Sequence, residues 1–186
     1  MTYRTWIEVS RVALLHNVQE FFALIGESTR LMAVVKSNAY GHCIAEVTKI
    51  LNAPQPPLNI RGGESGVIWF GVDSLDEALT LRNAGITQPI LTLGYVPLDR
   101  LSEAVEHDVR LTVYNRETIE QLGKIQTEIN PSFTSPYDKG RKGGVKLHLK
   151  LETGTNRQGL LPEHALELCK LIQQYPNLQL EGISSH

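Results

Sequence analysis

Long hydrophobic runs are missing from this chain. Its apolar stretches are far shorter than the roughly 20 residues needed to cross a bilayer, and Met1-Thr-Tyr-Arg-Thr-Trp-Ile-Glu8 lacks the apolar centre of a secretory signal. A surplus of either charge is missing too. Lys and Arg number 18 against 20 Asp and Glu, a formal charge of −2, which gives no electrostatic basis for binding nucleic acid or an anionic membrane. Cysteine is scarce: Cys43 and Cys169 lie 126 residues apart without metal-ligand spacing, and both are expected to be reduced thiols in a cytoplasmic protein. No internal repeat or single-residue tract interrupts the pattern.

What is present is enough apolar residue to bury a core. The 186 residues are 41% hydrophobic and 20% charged, ordinary values for a globular domain or part of a larger one. Short apolar strands alternate with amphipathic helices. Strands are expected at Leu31–Val35, Val67–Val72, Pro89–Leu93, Leu111–Tyr114, Val145–Leu151 and Leu178–Ser184, with one more at Thr5–Val9. Leu31–Val35 reads as buried on both faces. Helices are expected from Ser10 (Leu14, Leu15, Val18, Phe21, Phe22 and Ile25 on one face), around Ile44–Leu51, after the capping box Ser74-Leu-Asp-Glu77, over Leu98–Glu106, from Asn115 to Ile129, and from Pro162. Such alternation argues for a parallel sheet with helices outside it. Residues 52–66 and 130–144, rich in Pro, Gly and Ser, read as loop insertions rather than interdomain linkers.

Three segments carry chemistry. Lys36 stands where the run Leu31-Met-Ala-Val-Val35 stops, followed by Ser-Asn-Ala-Tyr-Gly-His42. The carboxyl ends of strands are where parallel α/β folds place their sites, and an amine there is a nucleophile for carbonyl carbon; the plainer alternative is a lysine that solvates a strand end. In Lys146-Leu-His-Leu-Lys150, alternation sets Lys146, His148 and Lys150 against Leu147, Leu149 and Leu151. Such a strand is either interior with paired polar groups or an edge strand with one wet face. Thr153-Gly154 opens a turn that would swing Arg157 back over the strand end as a planar cationic donor. His186 and Tyr40 stand at the ends of their segments, where each could also be an incidental surface or packing residue.

Together these segments resemble the N-terminal part of the alanine racemase family, pyridoxal-phosphate enzymes built on a (β/α)8 barrel. The matching pieces are Arg4–Glu8, Ala33-Val-Val-Lys-Ser-Asn-Ala-Tyr-Gly-His42, Phe70-Gly-Val-Asp-Ser-Leu-Asp-Glu-Ala-Leu79, Lys150-Leu-Glu-Thr-Gly-Thr-Asn-Arg-Gln-Gly159 and Gly182-Ile-Ser-Ser-His186, in family order along the chain. The resemblance implies an α/β TIM-type barrel, here incomplete at about its first six strands and without the family's C-terminal β-domain, and a fragment or truncated product. It implies that Lys36 forms the Schiff base with pyridoxal 5'-phosphate and acts as base on one face of the substrate carbon. It further implies that Tyr40 binds the cofactor phosphate, Arg157 meets the ring's phenolic oxygen and the substrate carboxylate, and His186 flanks the ring. Lys150 matches a position that is carbamylated in many members.

The implied reaction is interconversion of L- and D-alanine, supplying D-alanine for peptidoglycan, in a cytoplasmic homodimer whose partner subunit provides a tyrosine on the opposite face. Cys43 stands where the family usually has glycine, and Thr155 where methionine is common. Alanine is the family's default substrate, beside serine and broader specificities. A pyridoxal-phosphate-binding homeostasis protein of the same barrel, or an inactive remnant, is the alternative reading.

Overall fold

The computed structural model describes residues 5–25, 29–52, 69–125 and 144–186. The expected loop insertions fall almost wholly outside these residues, as do Val67 and Ile129. In order, the elements are α1 (Arg11–Ile25), β1 (Met32–Val34), α2 (Lys36–Tyr40), α3 (Ile44–Asn52), β2 (Trp69–Val72), α4 (Leu75–Asn83), β3 (Ile90–Thr92), a 3-10 turn (Leu98–Arg100) running into α5 (Leu101–Glu106), β4 (Val109–Val113), α6 (Arg116–Lys124), β5 (Val145–Lys150), α7 (Pro162–Gln173) and β6 (Leu178–Ser184). All six strands form one sheet in the order of the chain, and every pairing is parallel. Each strand is therefore joined to its neighbour by a helical crossover, the arrangement of a (β/α) barrel wall.

The strands send alternate residues to a helix-facing side and an inner side. On the helix side Phe70, Val72, Ile90, Val109, Leu111, Val113, Leu147 and Leu149 are buried against Leu75, Ala78, Leu81, Leu101, Ala104, Ile119, Leu122, Leu171 and Ile172. This layer supplies the hydrophobic driving force. The helix signals work as their chemistry requires: Ser74 Oγ accepts the Glu77 amide (3.3 Å) and Asn115 Oδ1 accepts the Thr118 amide (2.8 Å). Pro162 opens α7, where its missing N–H costs nothing.

The inner side is polar toward the amino end of the sheet. Arg110 (1% exposed) donates through Nε to Glu181 (2.8 Å), Lys146 Nζ lies 3.3 Å from Asp108, and His148 Nε2 sits 3.3 Å from Glu181. Glu181 owes its inward direction to a register shift, since Leu147 pairs with Leu180 but His148 pairs with Gly182, leaving Glu181 as the extra residue of a bulge. Gly182 is required there: a Cβ would come within 2.8 Å of the His148 ring. Buried charges are tolerated because each is paired with one of opposite sign.

Several expectations change. Thr5–Val9 is not a strand; these residues lie outside any regular element. Leu31–Val35 shortens to β1, which has β2 as its sole partner among the described strands and leaves Val34 39% exposed, so it is not buried on both faces. The apolar face expected on α1 is only partly covered: Phe22 is buried, Leu14, Leu15, Val18 and Ile25 are half-buried, and Phe21 is exposed. β4 begins two residues earlier than expected, at Val109. The edge-strand alternative for β5 fails, because β5 is hydrogen-bonded on both sides and Lys146 and Lys150 are each 7% exposed.

Candidate functional site

Lys36 leaves β1 directly after Val35, whose amide donates to Gly71 O on β2 (2.8 Å). The chain then makes a left-handed turn: Ser37, Asn38, Ala39 and Tyr40 all have φ of 53–55°, and Gly41 follows at 90°. Four successive non-glycine residues in this region cost roughly 1–2 kcal/mol each, and outside bonds hold them there. The Asn38 amide donates to Glu77 Oε1 (3.1 Å), and Asn38 Oδ1 accepts the Ile44 amide (2.9 Å), capping α3. Glu77 Oε2 also takes the Asp73 amide (2.9 Å). The carboxylate expected to complete a capping box is thus spent tying the lysine's turn to the end of β2.

Lys150 ends β5 and is 7% exposed, lying against the inner side of the sheet. Burial first, then the cations Arg157 and Lys36, lower its pKa, with Glu152 partly opposing. The segment after it is a loop built around Glu152. The Asn156 and Gly154 amides, then those of Arg157 and Thr155, hold that carboxyl below its ordinary pKa. Leu160 donates to Lys150 O (2.8 Å), the Glu152 amide donates to Leu160 O (2.7 Å), and Gln158 Nε2 reaches Leu93 O on the β3 side (3.0 Å). Thr153 and Thr155 hydroxyls donate to His186 O (3.2 and 3.3 Å), fastening the loop to the end of β6. The Thr153-Gly154 turn does swing Arg157 back over the sheet.

The result is one cavity of about 780 Å3, which Lys36, Tyr40, Lys150, Arg157 and His186 all line. Of the polar residues singled out for chemistry in the sequence, Lys146 alone does not reach it, lying instead against Asp108. Trp69, Leu91 and His148 also line it, as do Met32 of β1 and Ile183 of β6. Sequence reasoning missed Asp73, whose carboxylate lies 4.0 Å from Lys36 Nζ, and the anchoring roles of Glu77, Glu152 and Gln158. The placement of Asp73 at a strand end was readable; the partners of all four are set by the tertiary fold. Among the lining residues, Arg30, Lys36, Lys150 and Arg157 are cations and Asp73 is the lone carboxylate. Such a lining suits an anionic ligand that also presents an electrophilic carbon to an amine.

Residues 9–186 match the family model for the alanine racemase N-terminal domain. The chain belongs to this family. Alanine racemase from Methanococcus maripaludis is 35% identical over 187 residues, covering 100% of the chain and 44% of that protein. Alanine racemase 1 from Bacillus subtilis is 34% identical, covering 98% and 41%. Among solved structures, alanine racemase from Bacillus anthracis with bound L-Ala-P superimposes with a TM-score of 0.76 at 34% identity, covering 100% of the chain and 42% of that one. Histidine racemase from Leuconostoc mesenteroides gives 0.71 at 25% identity, covering 95% and 41%. The chain spans about two fifths of the length of the racemases it matches. The parallel sheet is therefore the first part of the family's barrel domain. Among the described residues, no helix is long and apolar enough to cross a membrane.

Proposed function

We propose that this chain carries the cofactor-binding half of an active site that interconverts L- and D-alanine with pyridoxal 5'-phosphate. One observation supports this above the others: Lys36 and Arg157, on segments 121 residues apart, line the same cavity with Lys150, Tyr40 and His186. The lining fits the cofactor in kind, offering a primary amine for its carbonyl carbon and three further cations for its anionic groups. When bound, pyridoxal phosphate supplies a conjugated ring that delocalises the electron pair left by removal of the α-proton.

Lys36 is the residue that attaches the cofactor and, once released, accepts or returns a proton at the α-carbon on its own face. Tyr40 binds the phosphate with its hydroxyl. Arg157, whose backbone amide donates to Glu152, would meet the ring's phenolic oxygen and the substrate carboxylate. His186 flanks the ring. Lys150, its pKa lowered by burial and neighbouring cations, is suited to attack CO2. The ammonium first gives up one proton to solvent, and the free amine forms an N–C bond as one C=O pair moves onto oxygen. A second proton then leaves the nitrogen, turning a cation into an anion beside Arg157. The opposite face takes its proton from a tyrosine of a partner subunit in a cytoplasmic homodimer, and the product D-alanine serves the cell wall.

The test is spectroscopic. Adding pyridoxal phosphate should produce a visible absorbance band that borohydride abolishes, leaving a mass increment on the peptide containing Lys36. Lys36→Ala should give neither. A band that survives Lys36→Ala would overturn the reading.

A further inference from the structure

The cavity's one carboxylate has no part in the proposed reaction so far. Asp73 stands one residue beyond β2, and its backbone is fixed from two sides. Its amide donates to Glu77 Oε2 (2.9 Å) and its carbonyl accepts the Gly94 amide (3.1 Å). Gly94 allows this close approach, since a Cβ there would lie 2.4 Å from the Asp73 carbonyl oxygen. The carboxylate so placed is 4.0 Å from Lys36 Nζ. The acids nearby are otherwise engaged: Glu77 by the amides of Asn38 and Asp73, Glu152 by the amides of its own loop. Of the other charged groups lining the cavity, Arg30 and Arg157 repel the Lys36 amine, as does Lys150 in its unmodified form, while Tyr40, His148 and His186 complete the titratable lining.

We propose that Asp73 is the counter-ion of Lys36 and a positioning residue for its reaction, holding the amine at the β2 side of the cavity and restraining its attack on carbonyl carbon. The inference rests on reading Lys36 as the reacting amine. The restraint acts where the amine would otherwise face Arg30 and Arg157, joined by Lys150 while that residue is unmodified. It also gives the incoming anionic ligand a definite competitor, because that ligand's own charge must draw Lys36 away from Asp73.

The test uses the protein without cofactor, so it stands apart from the absorbance test above. Lys36 is acetylated by a neutral N-hydroxysuccinimide ester and followed by peptide mass spectrometry, with the exposed Lys49 and Lys170 as internal references. One unit charge at 4 Å in a largely aqueous setting corresponds to about fivefold in rate. Asp73→Asn should therefore raise the Lys36 rate by about three- to tenfold relative to the references, and Asp73→Glu should stay within about twofold of the parent. Added salt should narrow the rate ratio between Asp73→Asn and the parent toward one, because screening removes the attraction that the substitution deletes. A Lys36 rate unaltered by Asp73→Asn, or a rate ratio between the two proteins that salt does not narrow, overturns the proposal. A visible band with an unaltered rate would sink the counter-ion and spare the cofactor reading; an altered rate with no band would do the reverse.

Discussion

Cys43, which the resemblance sets where glycine is usual, is a residue at which the backbone records a cost. It is exposed and has φ of 70°, in the left-handed region where a side chain meets the following carbonyl. Glycine escapes that clash, although it gives back part of the gain through unfolded-chain entropy. Cys43→Gly is expected to stabilise the protein by up to about 1 kcal/mol, read as a higher urea midpoint with an unchanged slope. Sequence reading could find Lys36 because an apolar run ending in one amine is a local pattern. It could not find Asp73 as that amine's partner, because the pairing depends on β1 and β2 lying side by side in register.

Among the elements, the segment Glu152–Gly159 has the most specific architecture. Its order depends on a carboxylate whose pKa is lowered by the backbone amides that surround it. A depressed carboxyl pKa contributes stability above the ordinary Glu range, and that contribution is lost as pH falls through the folded-state value. The Gly154 and Arg157 amides should therefore lose hydrogen-exchange protection below about pH 4.5, and Glu152→Gln should flatten that pH response. Gly159 (φ 138°) is a second constraint on the loop, since a Cβ there would sit 2.6 Å from the Glu152 nitrogen. The Thr-Gly turn was legible from composition. The carboxylate at the loop's centre was not, because an exposed Glu after a strand looks like any solvated residue. Periodicity located the helices well but was silent on the hand of α2, which Asn38 and Glu77 impose from outside.

For the molecule as a whole, the order of strands followed from the alternation of apolar runs, whereas the polar interior did not. Alternation in Lys146–Leu151 left two faces equally plausible, and only the two flanking strands decide which side is buried. Arg82 holds the sheet's amino end together. It is 4% exposed, burial pulls its pKa down to about 10, and its guanidinium donates to the carbonyls of Ile86, Gln88, His107 and Asp108. One side chain thus ties α4 to the turns that feed β3 and β4. Arg82→Met should cost about 3 kcal/mol, because it strands several carbonyls at once, measured as a fall in unfolding free energy with little change in slope. The left-handed turn after Lys36, finally, bears on timing. A right-handed helix can start from its own residues, but α2 needs a bond from Glu77, 39 residues further along the chain. On a chain made from its amino end, the reactive amine is assembled only after β2 and α4 have emerged. The protein acquires its chemistry late, when the walls that contain it already exist.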